Sequence, residues 1–363
     1  MSPDAQAESE KPRQVMASEI EAFVIVEDDV IGRGGGVPRD AFRRAPGGWY
    51  YLCRSRELRR GPVGIDFDQL KFVGFRDSAR RIAVLSAQCA HMGADLANGR
   101  VVEGRLCCPL HGWEYSSDGS CHRIPASDSI PPFARQCAYP SVELHGHVYF
   151  CNRAVAPYPM PFFDGVSRDD LLPAAPFEFR VATPWYLVGA NAFDVQHFRT
   201  AHDRTLVGEP VVDSPAPLAR RISATYRVTG DGWRDRLTRV FSGPDVTMSA
   251  TVWGGPLVLV TARFRRTTSY GLVSIRPVTD LQSIVTIVVW VPRRQSWVGR
   301  LVDPIDAVIR RSFIRAFLLP DVSAASGIRY NPRALIDADR ELAAYLDWLR
   351  SASCESPDIS HHS

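Results

Sequence analysis

Cys89-Ala90-His91 is followed, after sixteen intervening residues, by Cys108-Pro109-Leu110-His111. Both pairs sit in glycine-containing turns, Cys89-Ala90-His91-Met92-Gly93-Ala94 and Cys108-Pro109-Leu110-His111-Gly112-Trp113, so two short loops offer two thiolates and two imidazoles to one inorganic centre. A Cys2His2 zinc finger keeps its cysteines together and its histidines together on a helix, whereas here each loop supplies one of each. The interleaving suits a [2Fe-2S] centre, with one iron held by both thiolates and the other by both imidazoles.

The surroundings are β in texture. From Gly47 to about Asn152, alternating or β-branched runs at Trp49 to Leu52, Leu70 to Phe75, Ile82 to Leu85, Val101 to Cys107 and His147 to Phe150 are separated by turn signals, as in a small all-β domain. One Cys-His loop follows the strand at 82–86 and the other follows 101–107, so loops of adjacent hairpins can pinch a cluster between them. Read through Leu96 and Trp113, the two loops resemble the cluster loops of the Rieske non-haem iron oxygenases. The resemblance selects Cys108 over its neighbour Cys107, giving Cys89, His91, Cys108 and His111 as the cluster-binding residues. Imidazole donates less charge than thiolate, so such a cluster is reduced more readily than a four-cysteine one. Cys53, Cys121, Cys137 and Cys151 read as small buried apolar residues.

A proline-rich connector from Pro157 to Pro176 reads as a domain boundary. Beyond it a strand begins at Phe177, and then comes Asn191-Ala192-Phe193-Asp194-Val195-Gln196-His197-Phe198-Arg199-Thr200-Ala201-His202. Asp194 and His197, three apart, would share a helix face; His202 converges with His197 only if the helix loosens or ends near Thr200. Standing alone, two histidines on a surface helix need no metal. An electron carrier joined to a second domain needs an acceptor, however, and Asn191, Asp194, His197 and His202 resemble the mononuclear iron site of the same family. The resemblance makes His197 and His202 two legs of a facial triad for Fe(II), completed by a carboxylate and leaving one face open. It also places Asn191 and Asp194 among the catalytic residues, Asp194 accepting a hydrogen bond from the second nitrogen of His197.

The family carries its third ligand on a long downstream helix. Here Val302, Ile305, Val308, Ile309, Phe313 and Phe317 have helical spacing and lead to Pro320-Asp321. The stretch from Asp321 through Tyr330-Asn331-Pro332-Arg333 to Asp337, Tyr345 and Trp348 resembles the ends of steroid 9α-hydroxylase and cholesterol desaturase subunits. That resemblance puts Asp321 in the ligand position, with Asp306 and Asp337 as substitutes. A proline directly before the ligand should perturb the helix there, and Ala324-Ala325 stands where the family has bulkier residues. Between the ligands, runs from 220 to 295 read as one antiparallel sheet of five or six strands. The expected fold class is α+β: an N-terminal all-β Rieske domain, then a helix-grip (START-like) catalytic domain of antiparallel sheet and long helix. The expected divisions are a partly disordered extension over 1–45, the Rieske domain over 46–155, the catalytic domain over 156–352 and a flexible tail over 353–363. The apolar stripe of Leu335, Leu342, Tyr345, Leu346, Trp348 and Leu349 reads as core packing.

Composition bounds the rest. At 363 residues and 45% hydrophobic, the chain suits two domains with real cores. A formal charge of +3 from 43 basic and 40 acidic side chains leaves no nucleic-acid footprint. The polar N-terminus lacks an apolar signal core and no apolar run is long enough to span a bilayer, so the expected location is cytoplasmic. Gly32 to Gly36 lacks the third glycine of a dinucleotide loop, Val37 standing in its place, and no plant-type four-cysteine cluster is present. Electrons must then come from a separate ferredoxin or flavin reductase.

The resemblance implies an oxygenase component that uses O2 to hydroxylate, desaturate or oxidatively cyclise a hydrophobic ring-containing substrate, a steroid or a specialised metabolite. The first domain also resembles aminopyrrolnitrin-type N-oxygenases. Monooxygenation or oxidative cyclisation ranks above cis-dihydroxylation. A head-to-tail homotrimer is implied as well, with Asp194 of one subunit bridging to His111 of the next. Two readings of other classes stand beside it: a pure electron-transfer Rieske protein, and a helix-grip lipid- or polyketide-binding module with a non-catalytic iron site.

Overall fold

The computed structural model of the protein describes residue 42, residues 45–68 and residues 70–354. The expected leader, the strand at 21–30, the glycine run 32–36 and the tail from 355, with His361 and His362, lie outside the described residues.

Residues 49–151 form three small antiparallel sheets. One joins Trp49–Arg54, His147–Cys151 and Ser141–Leu144, and its register of Trp49 opposite Cys151 brings the two ends of the region together. A second orders Val63–Phe67, Leu70–Arg76, Ile82–Ser86 and Ala138–Tyr139; a third orders Arg100–Val102, Arg105–Cys107, Glu114–Tyr115 and Cys121–Arg123. The single strand expected over 101–107 is therefore a hairpin. Glu103 and Gly104 both take positive φ, 49° and 77°, the pair of left-handed residues that a tight two-residue turn requires. A Cβ on Gly104 would fall 2.0 Å from the Ser78 nitrogen, so only glycine fits.

From residue 171 onward the architecture is an eight-stranded antiparallel sheet with helices against it. Its order is Leu171–Pro173, Gln282–Pro292, Thr268–Thr279, Leu257–Phe264, Asp245–Trp253, Ala219–Val228, Arg204–Ala216, with Phe177–Val181 also pairing Gln282–Pro292. Five of these strands are the runs expected between 220 and 295; the other three enlarge the sheet beyond five or six. Arg204–Ala216 is an edge strand, mostly exposed, with a register shift between Val207 and Val211 and Gly208 at φ 77°. Its polar, twice-exposed sequence lacks the alternation that marks a half-buried strand.

The 28-residue helix Trp297–Ala324 lies against the sheet, its Ala307, Ile314, Leu318 and Val322 packing on Val285, Ile287, Val289 and Val291. Pro320 does not interrupt it, contrary to the expected perturbation, and the helix runs on to Ala324. Proline removes one amide donor from the ladder, and here the helix tolerates that loss in its last turns, beyond which the Ala325 amide donates to the Asp321 carbonyl at 2.8 Å. The C-terminal helix Arg340–Cys354 continues past 353 and sends Tyr345, Leu346 and Leu349, each fully buried, into a core with Trp185, Phe193 and Ile275.

The two halves share a core. Trp49, Tyr51 and Tyr149 of the first pack with Leu257, Leu259, Leu272 and Trp290 of the large sheet, and Tyr158, Met160 and Phe163 of the proline-rich connector fill the seam. The Trp49 indole donates to the Tyr158 carbonyl at 2.9 Å, and the Tyr51 amide donates to Ser274 Oγ at 2.9 Å. Each such fully buried large side chain contributes about 2–3 kcal/mol of transfer free energy before chain entropy is subtracted. The connector is thus a packed element, and it even supplies the short strand Leu171–Pro173.

Candidate cluster and metal centres

The two Cys-His loops have one backbone design. The Cys89 amide donates to the Ala94 carbonyl at 2.9 Å and the Gly93 amide returns to the Cys89 carbonyl at 2.8 Å; the Cys108 amide donates to the Trp113 carbonyl at 2.8 Å and the Gly112 amide returns to Cys108 at 3.1 Å. Gly93 and Gly112 close the loops at φ 72° and 70°, a conformation glycine adopts at no steric cost. The loops belong to different sheets rather than adjacent hairpins. The first leaves the strand Ile82–Ser86, and the second turns from Arg105–Cys107 into Glu114–Tyr115.

Both thiols point inward and both imidazoles outward. Cys89 and Cys108 are buried with Leu85, Leu96, Trp113 and Tyr115, while His91 and His111 are exposed with their Nδ1 atoms 3.1 Å apart. Burial pushes the Cys89 thiol up, partly countered by the Tyr115 hydroxyl, which lies 3.1 Å from Cys89 Sγ. The indole of Trp113 stacks on His91 at 4.7 Å and 4°. Cys107 is the strand residue opposite Arg100 and Glu114, away from this pairing. Among the described residues, the one group of three or more ligand atoms gathered as if around a single ion is elsewhere. Here a buried thiol pair faces an exposed imidazole pair, and this division suits a two-iron cluster lying between them. Cys53, Cys121 and Cys151 are buried as expected, but Cys137 is exposed.

The set within 4.8 Å is His197, His202 and Asp321. His197 opens and His202 closes the six-residue helix His197–His202, which continues past Thr200 and stops at Asp203 in the left-handed conformation, φ 51°. The expected break near Thr200 does not occur. The two rings still approach to 5.3 Å between centroids, because they stand at opposite ends of a single turn and a half and lean toward the long helix. There Asp321 meets them, His202 Nε2 standing 2.8 Å from Asp321 Oδ1. Neither of those two buried atoms is in a hydrogen bond. The two atoms are thus in contact without forming a hydrogen bond. Two orphaned buried ligand atoms beside a second imidazole suit a metal ion of the two-His-one-carboxylate type.

The neighbours hold these side chains in place. His197 Nδ1 lies in a short contact with the carbonyl oxygen of Asp194, which leaves Nε2 facing the site. Burial keeps the His197 imidazole below its ordinary pKa, against the pull of Asp321 and Asp194, and so favours its neutral, ligating form. The hydrogen bond expected between the second nitrogen of His197 and Asp194 is thus made, with the backbone carbonyl as acceptor. The Asp194 carboxylate caps the helix, Oδ1 accepting from the amides of Gln196 at 3.1 Å and His197 at 3.2 Å, with Oδ2 3.9 Å from the ring. Asp194 therefore precedes the helix and shares no helical face with His197. Asn191 Nδ2 lies 3.4 Å from His197 Nε2 and 3.5 Å from Asp321 Oδ2. Asp306 pairs with Arg310 at 2.8 Å and Asp337 starts a separate short helix, so neither substitutes for Asp321.

Three supporting residues escaped the sequence reading. Tyr115 reaches a cluster thiol. Phe317, one turn before Asp321, stacks on His202 at 3.9 Å and 14°. Arg204 donates to the His202 carbonyl at 2.9 Å, lies over the Phe317 ring and pairs with Asp235 at 2.8 Å. The spacing of Phe313 and Phe317 marked a helix face; nothing in it pointed to a ring packed on a ligand.

Residues 48–134 match the family described as the Rieske [2Fe-2S] domain. The chain carries a Rieske domain, and over most of its length it shares its fold with solved structures of low sequence identity. Among curated proteins it is similar to aminopyrrolnitrin oxygenase PrnD of Pseudomonas fluorescens, 30% identical over 173 residues, 45% of this chain and 47% of that protein. It is also similar to the oxygenase component of a 3-ketosteroid-9-alpha-monooxygenase of Rhodococcus rhodochrous, 37% identical over 106 residues, 29% of this chain and 27% of that protein. These matches span less than half the length of the curated relatives. NdmB of Pseudomonas putida CBB5 shares the fold at a TM-score of 0.65 and 17% identity, over 84% of this chain and 90% of that one. Dicamba monooxygenase bound to dicamba does so at 0.62 and 17%, over 86% and 98%.

Proposed function

We propose that the protein is the terminal oxygenase component of a Rieske non-haem iron monooxygenase. In this reading Cys89, His91, Cys108 and His111 hold the [2Fe-2S] cluster, and His197, His202 and Asp321 hold a mononuclear Fe(II). The cluster occupies 46–155 and the iron site 156–352. The observation that carries the reading is the pair of orphaned buried atoms, His202 Nε2 and Asp321 Oδ1, beside His197 in a chain that also bears a Rieske domain. A pure electron carrier leaves that second site without a role, and a lipid-binding module needs no triad.

Bound iron would supply the one-electron chemistry that activates O2; the chain supplies the rest. Asp194 fixes the His197 tautomer through its carbonyl, Phe317 and Arg204 hold His202, and Asn191 presents an amide to the ligand cluster. Val260, Ala262 and Phe264 share the sheet face on which Met248 and Phe317 gather, so the substrate is hydrophobic and ring-containing, a steroid or specialised metabolite. Its oxidation is a hydroxylation, desaturation or oxidative cyclisation. Electrons come from a separate ferredoxin or flavin reductase. The reading takes a cytoplasmic homotrimer, in which the exposed His91 and His111 of one subunit would meet the half-buried Asp194 beside the next subunit's iron site.

His197→Ala tests the two-site assignment. Turnover and the third iron per chain should be lost while the electron paramagnetic resonance signal of the reduced cluster persists; loss of that signal together with turnover would sink it.

A further inference from the structure

The helix Trp233–Phe241 buries none of its residues. Its apolar side chains recur at i, i+4, i+7 and i+8, which is one helical face, yet Trp233, Val240 and Phe241 are more than 60% exposed. A surface helix of an ordinary domain turns such a face inward. This one is held firmly with the face outward: Asp235 pairs with Arg204 at 2.8 Å, the Arg266 guanidinium donates to the Val240 carbonyl at 3.0 Å, and Trp233 meets Phe313 of the long helix at 6.2 Å.

A basic rim surrounds the apolar face. Arg234 and Arg236 lie on the short helix and Arg265 and Arg266 on the adjoining hairpin, all exposed. The carboxylate of Asp235 is already paired with Arg204, and Asp231, exposed just before the short helix, offsets one of the four. An amphipathic helix with Trp, Leu and Phe on one face and arginines on the other is the form that lies in a bilayer interface. No described helix is long and apolar enough to cross a membrane, so the contact is a docking and not a span.

The geometry points to an anionic lipid surface as the partner of this face, the short helix settling into the headgroup boundary. The face meeting its own copy would set arginine against arginine; a contact with a different face of a neighbouring subunit is the outcome that the solution-mass measurement below detects. The docking does not depend on the oxygenase reading. If that reading holds, docking also gives a membrane-dissolved substrate a short apolar route, because Phe313 touches the docked helix and Phe317, one turn on, stacks on His202.

The test is sedimentation of the whole chain, holding its cluster, with vesicles of phosphatidylcholine alone and of equimolar phosphatidylcholine and phosphatidylglycerol. Binding is expected to the anionic vesicles, weakening as salt is raised, and not to the neutral ones. Trp233→Glu with Phe241→Glu should lower partitioning by about tenfold or more, and Arg265→Glu with Arg266→Glu by about tenfold, the cluster's visible spectrum remaining unchanged. The arginine variant, made on an exposed hairpin, carries the test if the apolar variant fails to fold. Absence of binding to anionic vesicles by the native chain, or undiminished binding by both variants, overturns the proposal. So does a fall in solution mass of the Trp233→Glu, Phe241→Glu chain by light scattering, which would assign the face to a contact between subunits.

Discussion

The two centres are built in opposite ways. At the cluster, four ligands come from two short loops of matching hydrogen-bond design, and each loop is complete within six residues. At the iron site, the partners come from a single helical turn and a long helix, Asn191 and Asp321 being 130 positions apart. The first is a local device that a strand end can carry. The second exists only once the sheet has placed one helix against the other. Exposure follows the same division: the cluster histidines face solvent, where an electron partner can reach them, while His202 is enclosed by Phe198, Phe317 and the orphaned Asp321 oxygen.

The sharpest way to break this comparison is at Asp321. Asp321→Asn keeps the shape and removes the charge that offsets Fe(II), so the chain should lose mononuclear iron affinity by more than the roughly 10–100-fold typical of a supporting residue. Turnover should fall to background while the cluster spectrum stays intact. Asp306→Asn, in the Arg310 ion pair, should leave both iron contents unchanged, and metal analysis of the two variants distinguishes the ligand from its neighbour.

Acid should probe the seam that joins the two centres. His147 is buried beside Tyr51 and Trp290, and burial, then the charge of Arg54 and His145, lowers its pKa to about 4 from an ordinary 6.5. A depressed folded-state value means that stability is fully present above pH 6.5 and declines as pH falls toward 4, because the unfolded chain takes up a proton that the folded chain refuses. The loss approaches about 3 kcal/mol at the bottom of that window. Thermal melts between pH 7 and pH 4.5 should show a steeper fall for the native chain than for His147→Gln; parallel slopes would place the acid sensitivity elsewhere.

Legibility in the sequence tracked locality. The two Cys-His loops could be read because their spacing is itself the structure, and five sheet strands could be read because their alternation records a buried face. What could not be read depended on contacts between distant segments. Asp321 needed a family resemblance to be chosen over Asp306 and Asp337, and only the packing of the long helix on His202 separates them. Asp194 was expected to accept from the His197 ring, and that its carbonyl does so could not be read, because it depends on the chain leaving helical geometry at Asp194 while the carboxylate turns to the amides of Gln196 and His197. The helix Trp233–Phe241 went unread because its apolar stripe is short and broken by arginines, and the edge strand Arg204–Ala216 because it is exposed on both faces.

The smallest expected effect concerns Tyr115, and it asks whether the cluster is as self-contained as its loops suggest. Tyr115 lies on the strand after the second loop, yet its hydroxyl reaches Cys89, a ligand from the first. The O–H donates toward a sulfur that gains negative charge on reduction, so the bond strengthens in the reduced state and raises the potential. A hydrogen bond to a charged group is worth about 1.5–3 kcal/mol, and for a one-electron couple this corresponds to about 65–130 mV. Tyr115→Phe should therefore lower the midpoint potential of the cluster by that amount, measured by redox titration, with the iron content of the second site unchanged. An unshifted potential would confine the tuning of the cluster to its own loops, while a downward shift shows that the local device is completed by a residue its motif does not contain.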